Sequence, residues 1–138
     1  DTFTTSSTTF VTPTSFTVTI TPSSASSKVL VIAQLVGSGN DTNTNFAMRL
    51  NGGNADTFIG DAAGSRSRAL SEQSGIRNGP TTVVYVDSPN PTSPVTYEAQ
   101  VRNRQSGQTV YVNRAISDND SDIRFRTASS ITVIEVAA

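Results

Sequence analysis

The chain has 138 residues, 35% of them apolar, and a formal net charge of −1. That suits one domain with its own core and offers no field to draw in nucleic acid or an acidic membrane. It has no cysteine, histidine or tryptophan, which excludes disulfides, imidazole or thiolate metal ligands and Ser-His-Asp or Cys-His pairs, leaving carboxylates and arginines to carry any chemistry.

Serine and threonine number 39 of the 138 residues, a bias toward strands, turns and caps over helices. The opening DTFTTSSTTFVTPTSF is polar, and residues 1–15 are predicted to be a lead or linker, mobile at first, ahead of a sandwich domain over 16–138. From Phe16 the alternation is clean: Phe16, Val18 and Ile20 share one face and Thr17, Thr19 and Thr21 the other, a half-buried strand. TPSSASSK turns into VLVIAQLV (Val29 to Val36), a near-continuous apolar run predicted to be a central strand covered on both faces. GSGNDTNTN is a loop, NFAMRL (Asn45 to Leu50) a strand, and NGGN the strongest hairpin punctuation in the chain, leading to a short strand DTFIG. SRSRALSEQSGI is compatible with strand or loop.

TTVVYVDS (Thr81 to Ser88) is a strand, and SPNPTSP after it cannot enter a sheet interior. Val95, Tyr97, Ala99 and Val101 alternate through VTYEAQVRNR, SGQ turns into the strand TVYVNRA, and SDNDSD is a loop. SSITVIEVAA closes the chain as a strand with apolar residues on both faces, which predicts a buried position. The sum is nine or ten short strands and no helix, an all-β, single-domain antiparallel β-sandwich, read as a jelly roll. No run reaches the roughly 20 apolar residues of a membrane-spanning helix. The chain opens on Asp1 with no signal-peptide pattern and is read as a piece of a longer protein.

Three groups invite a functional reading. GDAAGSRSRA (Gly60 to Ala69) brackets small residues with two glycines and ends in Arg66 and Arg68. A phosphate loop requires Lys and Ser/Thr after the second glycine and then a helix; here Gly64 is followed by Ser65 and Arg66, with no helical pattern behind them. Two apart, Arg66 and Arg68 would project from one face of a strand. That ridge suits a carboxylate on a neighbouring subunit or an acidic sugar, and two solvated arginines are the plainer alternative. The second group, Asp118, Asp120 and Asp122, copies the front of a calcium loop, but Ile123 stands where glycine is needed and Ser129 where glutamate closes the site. A solvated acidic turn pairing with Arg124 or Arg126 is the preferred reading, and no structural calcium is expected. The third, Glu72, Glu98 and Glu135, holds the only glutamates, far apart in sequence and with no tryptophan platform for a sugar ring. No catalytic residue is assigned and no cofactor is expected.

The order FTVTITPSSASSKVLVIAQLVG, GDAAGSRSRA, TTVVYVDSPNPTSPVTYEAQVRN, YVNRAISDNDSD and SSITVIEVAA, covering about Phe16 to Ala138, resembles domains of aquatic (marine or cyanobacterial) phages. Such domains lie at the C-terminal end of tail-fibre or other virion-surface proteins. The group is similar to the trimeric jelly rolls of the tumour-necrosis-factor and complement-head type. The resemblance implies a homotrimer on the particle surface, at a tail-fibre tip or as a head fibre. It further implies contact with other virion proteins and with a host polysaccharide or protein, and neither nucleic acid nor membrane insertion. Arg66 and Arg68 would then sit at a subunit contact. The alternatives are a capsid cement or decoration protein that stabilises the head and a secreted carbohydrate-binding module; a carboxylate-based glycanase ranks below them.

Overall fold

A chain this rich in threonine and β-branched residues satisfies its backbone through strand pairing. A computed structural model describes residues 1–41, 45–54, 59–76, 78–90 and 92–137. Among them are no helix and nine strands: β1 (Phe3–Thr5), β2 (Thr17–Ile20), β3 (Lys28–Gly39), β4 (Asn45–Asn51), β5 (Ser71–Ser74), β6 (Gly79–Asp87), β7 (Val95–Asn103), β8 (Val110–Val112) and β9 (Ser130–Val136). One sheet runs β1-β8-β3-β6 with β9 also paired to β3, and the other runs β2-β7-β4-β5. All pairings are antiparallel. The expected all-β sandwich forms, and the chain changes sheet at most of its connections.

Period-two alternation sorts the core. Val29, Val31, Ala33 and Leu35 of β3 face Phe46, Met48 and Leu50 of β4 and Val95, Tyr97, Ala99 and Val101 of β7, all buried in one cluster. Val110 and Val112 complete it from β8. The four inward positions of β7 are the ones the alternation in sequence singles out.

Strand β3 is the hub. Along one edge it pairs with β6 from Val29 to Gly37. Along the other it pairs first with β9, from Lys28 to Gln34, and then with β8, from Gly37 to Gly39. At the changeover the Ser129 hydroxyl accepts the Val36 N–H (2.9 Å), and the Asn113 N–H donates to the Val36 carbonyl (3.0 Å). Asn113 holds φ at 61° there, a left-handed conformation that asparagine tolerates better than most residues. Residues 114–128 therefore leave the sheet between β8 and β9 as one excursion, and SDNDSD lies on it.

Three expectations change. Strand β3 is central as expected but is covered on one face only, its Leu30 and Ile32 lying among the exposed Val84, Val86 and Ile134 on the other. The terminal strand β9 is at an edge, paired only with β3, and its Ile134 and Val136 are exposed; the sandwich covers one face of this strand and leaves the other in solvent. Among the described residues the NGGN turn does not close a tight hairpin: the next strand, β5, pairs with β4 but begins only at Ser71. Residues 56–58 of the expected strand DTFIG lie outside the described residues, while Ile59 and Gly60 are in no strand.

The polar opening is stitched to the sandwich. Phe3–Thr5 pairs with β8. The Ser7 and Phe16 carbonyls accept from the Asn103 and Ala99 N–H groups (2.7 and 3.3 Å), and Val11 exchanges two bonds with Val101 (2.9 Å each). Residues 7–16 thus continue the edge of β7 beyond the end of β2 and carry the chain over to the other sheet.

Candidate functional site

Residues 60–69 are not a strand, so the spacing of Arg66 and Arg68 does not put them on one strand face. The segment is a loop closed on itself: the Gly60 N–H donates to the Ala69 carbonyl (3.1 Å), while Arg68 Nε donates to the Gly60 carbonyl (2.8 Å). Arg66 Nη1 donates to the Ala63 carbonyl (3.2 Å) around Gly64, whose φ of 59° makes the turn. The loop then feeds β5, with no helix to present amides to a phosphate.

The loop leans over the outer face of the β2-β7-β4-β5 sheet and walls a groove of about 620 Å³ lined by Arg66, Ser67, Glu72, Arg102, Arg104 and Ala47, among others. Register explains the hollow. Ala47 pairs with Arg102 on one side and with Glu72 on the other, so a methyl group floors a row whose flanks are long and charged. Arg102 is held on three sides: its Nε donates to the Asn103 carbonyl (3.0 Å), its Nη1 to the Ser67 hydroxyl, and its guanidinium stands 5.8 Å from the centre of the Phe10 ring. Phe10 also takes Arg49 on its face at 4.4 Å, and Arg49 Nε donates to Gln100 Oε1 (2.7 Å). Arg104 and Glu72 stand 3.8 Å apart, both well exposed.

Next to the groove the same sheet face carries a closed polar network. Glu98 Oε2 accepts from Thr12 Oγ1, Gln100 Nε2 and Asn51 Nδ2 at 3.0, 3.0 and 3.2 Å. Glu135, at the far end of the fold, accepts from the Ser23 N–H and hydroxyl (2.7 Å each). Each of the three glutamates thus has its own separate set of partners.

Asp118, Asp120 and Asp122 are spread along the excursion. Asp118 Oδ2 accepts from Arg126 Nη2 (2.7 Å) and lies 3.7 Å from Arg114 Nη1, so its charge is matched by two guanidiniums. Arg124 Nε donates to Asn119 Oδ1 (3.3 Å). Among the described residues no three acidic side chains gather as a metal ion would need.

The buried carboxylate is elsewhere. Asp87, wholly buried at the end of β6, accepts from the Tyr97 hydroxyl (2.6 Å), the Asn54 N–H (3.1 Å) and the Ser88 N–H (2.8 Å). Burial, and then the bond to Asp87 and its charge, push the Tyr97 phenol well above its ordinary range. The NGGN turn thus latches one sheet to the other. Saturated with donors and closed to solvent, this group is structural.

The last feature is apolar. On the outer face of the other sheet, Leu30 is flanked by Val86 of β6 and Ile134 of β9, and Ile32 by Val84 and Thr132. Val84, Val86 and Ile134 are 59%, 52% and 47% exposed, forming a patch across three strands.

Sequence reasoning singled out Arg66 but missed its companions Arg102 and Arg104, the Ala47 floor and Phe10. The alternate spacing of Arg102 and Arg104 was a usable signal; their meeting with the loop depends on register. No known family model matches the sequence, and no curated protein matches it.

Proposed function

We propose that this domain is a non-enzymatic structural module that packs against copies of itself as a homotrimer on the surface of a phage particle, at a tail-fibre tip or on the head, where it serves host attachment. The observation that carries the self-association is the apolar outer face of β6-β3-β9. A monomeric domain seldom leaves such a patch across three adjacent strands in water, and β6 and β9 are also open edges that need cover. The virion setting rests on the resemblance of sequence described above. The partners already taken by each glutamate and by Asp118 support a structural use of the carboxylates.

Light scattering or native mass spectrometry at low micromolar concentration tests the assembly, with an expected mass about three times 14.5 kDa. A stable monomer would remove self-association by the isolated domain. Antibody labelling of intact particles by electron microscopy tests the setting: label at fibre tips supports attachment, label on capsid facets supports decoration, and unlabelled particles would overturn both.

A further inference from the structure

We infer that the groove between the 60–69 loop and the end of β7 is a binding site for an acidic saccharide, one whose rings carry a carboxylate. This deepens the attachment half of the proposed function by giving it a site and a ligand chemistry. It stands apart from assembly, because the groove is on the opposite sheet from the apolar face.

Among the described residues, three guanidiniums, from Arg66, Arg102 and Arg104, line one concavity with a single carboxylate, Glu72, on a chain whose overall charge is −1. Local charge here runs against the global balance. Guanidinium is the cation that gives a carboxylate strong charge-assisted hydrogen bonds, and Arg102 is already held in place to donate one. With its Nε and Nη1 spent on the Asn103 carbonyl and Ser67, and Phe10 beside it, its Nη2 is left to a ligand with little further entropy to lose. Arg66 is steadied by the Ala63 carbonyl. At about 620 Å³ the groove has the volume of a small-ligand site. Ser65 and Ser67 add hydroxyls to its lining, and the short side chains of Ala47 and Ala69 leave it room.

Glu72 selects among anions. It stands inside the cation cluster, 3.8 Å from Arg104, where it repels a densely charged polymer and accepts hydrogen bonds from sugar hydroxyls. Nucleic acid spaces its charges too closely to avoid it, and the rest of the surface supplies no basic field to offset that repulsion. A uronic-acid chain carries one charge per ring with hydroxyls between.

Trigalacturonate is the probe, titrated calorimetrically into the whole domain, with maltotriose, a short DNA duplex and a glutamate oligomer as comparisons. Trigalacturonate should bind and the other three should not. The double variant Arg66→Gln/Arg104→Gln should weaken binding by about tenfold or more, the scale of one lost charge-assisted hydrogen bond, with an unchanged melting temperature. Glu72→Gln should tighten binding of the DNA duplex relative to trigalacturonate. Absence of trigalacturonate binding at millimolar concentration, equal binding by the double variant, or equal binding of maltotriose, DNA or the glutamate oligomer would overturn the assignment. A monomeric domain that still binds would sink the trimer and leave the groove standing; a trimer that does not bind would do the reverse.

Discussion

At Gly53 the backbone does what a side chain would forbid. Its φ is 52°, and a Cβ placed there would lie 2.1 Å from Asp87 Oδ2 and 2.9 Å from the Tyr97 hydroxyl. The Asn54 N–H can reach the carboxylate only because that space is empty. Gly53→Ala should therefore cost more than about 2 kcal/mol, since it adds backbone strain to a broken buried network; a urea midpoint within error of the parent would refute this. Tyr97→Phe leaves Asp87 buried and short of a donor, a loss of about 1–3 kcal/mol. The phenol also has a signature in pH. Because its folded value is raised, the folded state holds the proton more tightly than the unfolded chain. The stability that this gives is fully present below the ordinary phenol value of about 10 and fades as pH rises through the folded value. The gap between parent and Tyr97→Phe, read from urea melts, should stay constant up to about pH 10 and narrow above it. A constant gap would mean that Tyr97 contributes by packing alone.

Strands were legible in two ways. Phe16 to Ile20 and Val95 to Val101 showed as strict alternation, a pattern with few other solutions, and Val29 to Val36, Asn45 to Leu50 and Thr81 to Ser88 as short apolar, strand-length runs; all fall on or beside observed strands. Long-range pairing was not legible. That β9 is an edge strand, and that β3 trades β9 for β8 at Val36, depends on Ser129 and Asn113 meeting a residue far earlier in the chain, 93 residues earlier for Ser129. The groove was half legible for the same reason: Arg66 stood out in its glycine-bracketed loop, while Arg102 and Arg104 joined it only through the β7-β4-β5 register. The opening segment shows how a polar run conceals structure, since its role lies in backbone bonds that any residue but proline can make. Deleting residues 1–9 removes β1 from β8 and leaves the buried Asn103 N–H without the Ser7 carbonyl. The melting temperature should fall by about 5 °C or more, as expected for the loss of roughly 2 kcal/mol in a domain of this size. An unchanged transition would make the segment a mere lead.

At the scale of the molecule the two outer faces divide the labour. One is apolar, through Val84, Val86, Leu30, Ile32 and Ile134; the other is lined by arginine, glutamate and serine around the groove. If copies pack through the first, every second face stays in solvent, and three grooves are presented by one particle. Val84 and Ile134 point away from the core, so Val84→Lys/Ile134→Lys brings two ammonium groups into the proposed contact at little cost to the fold. The double variant should give a mass near 14.5 kDa by light scattering, with the far-UV circular dichroism of the parent. Its affinity for free trigalacturonate should be the parent's, because each groove is built within one chain. Its retention on a surface coated with polygalacturonate should drop by about a hundredfold or more, since three linked sites rebind at millimolar effective concentration and one cannot. A lysine variant that remains trimeric would move the subunit contact off this face. One that becomes monomeric yet stays on the coated surface as long as the parent would show that the three grooves do not act together.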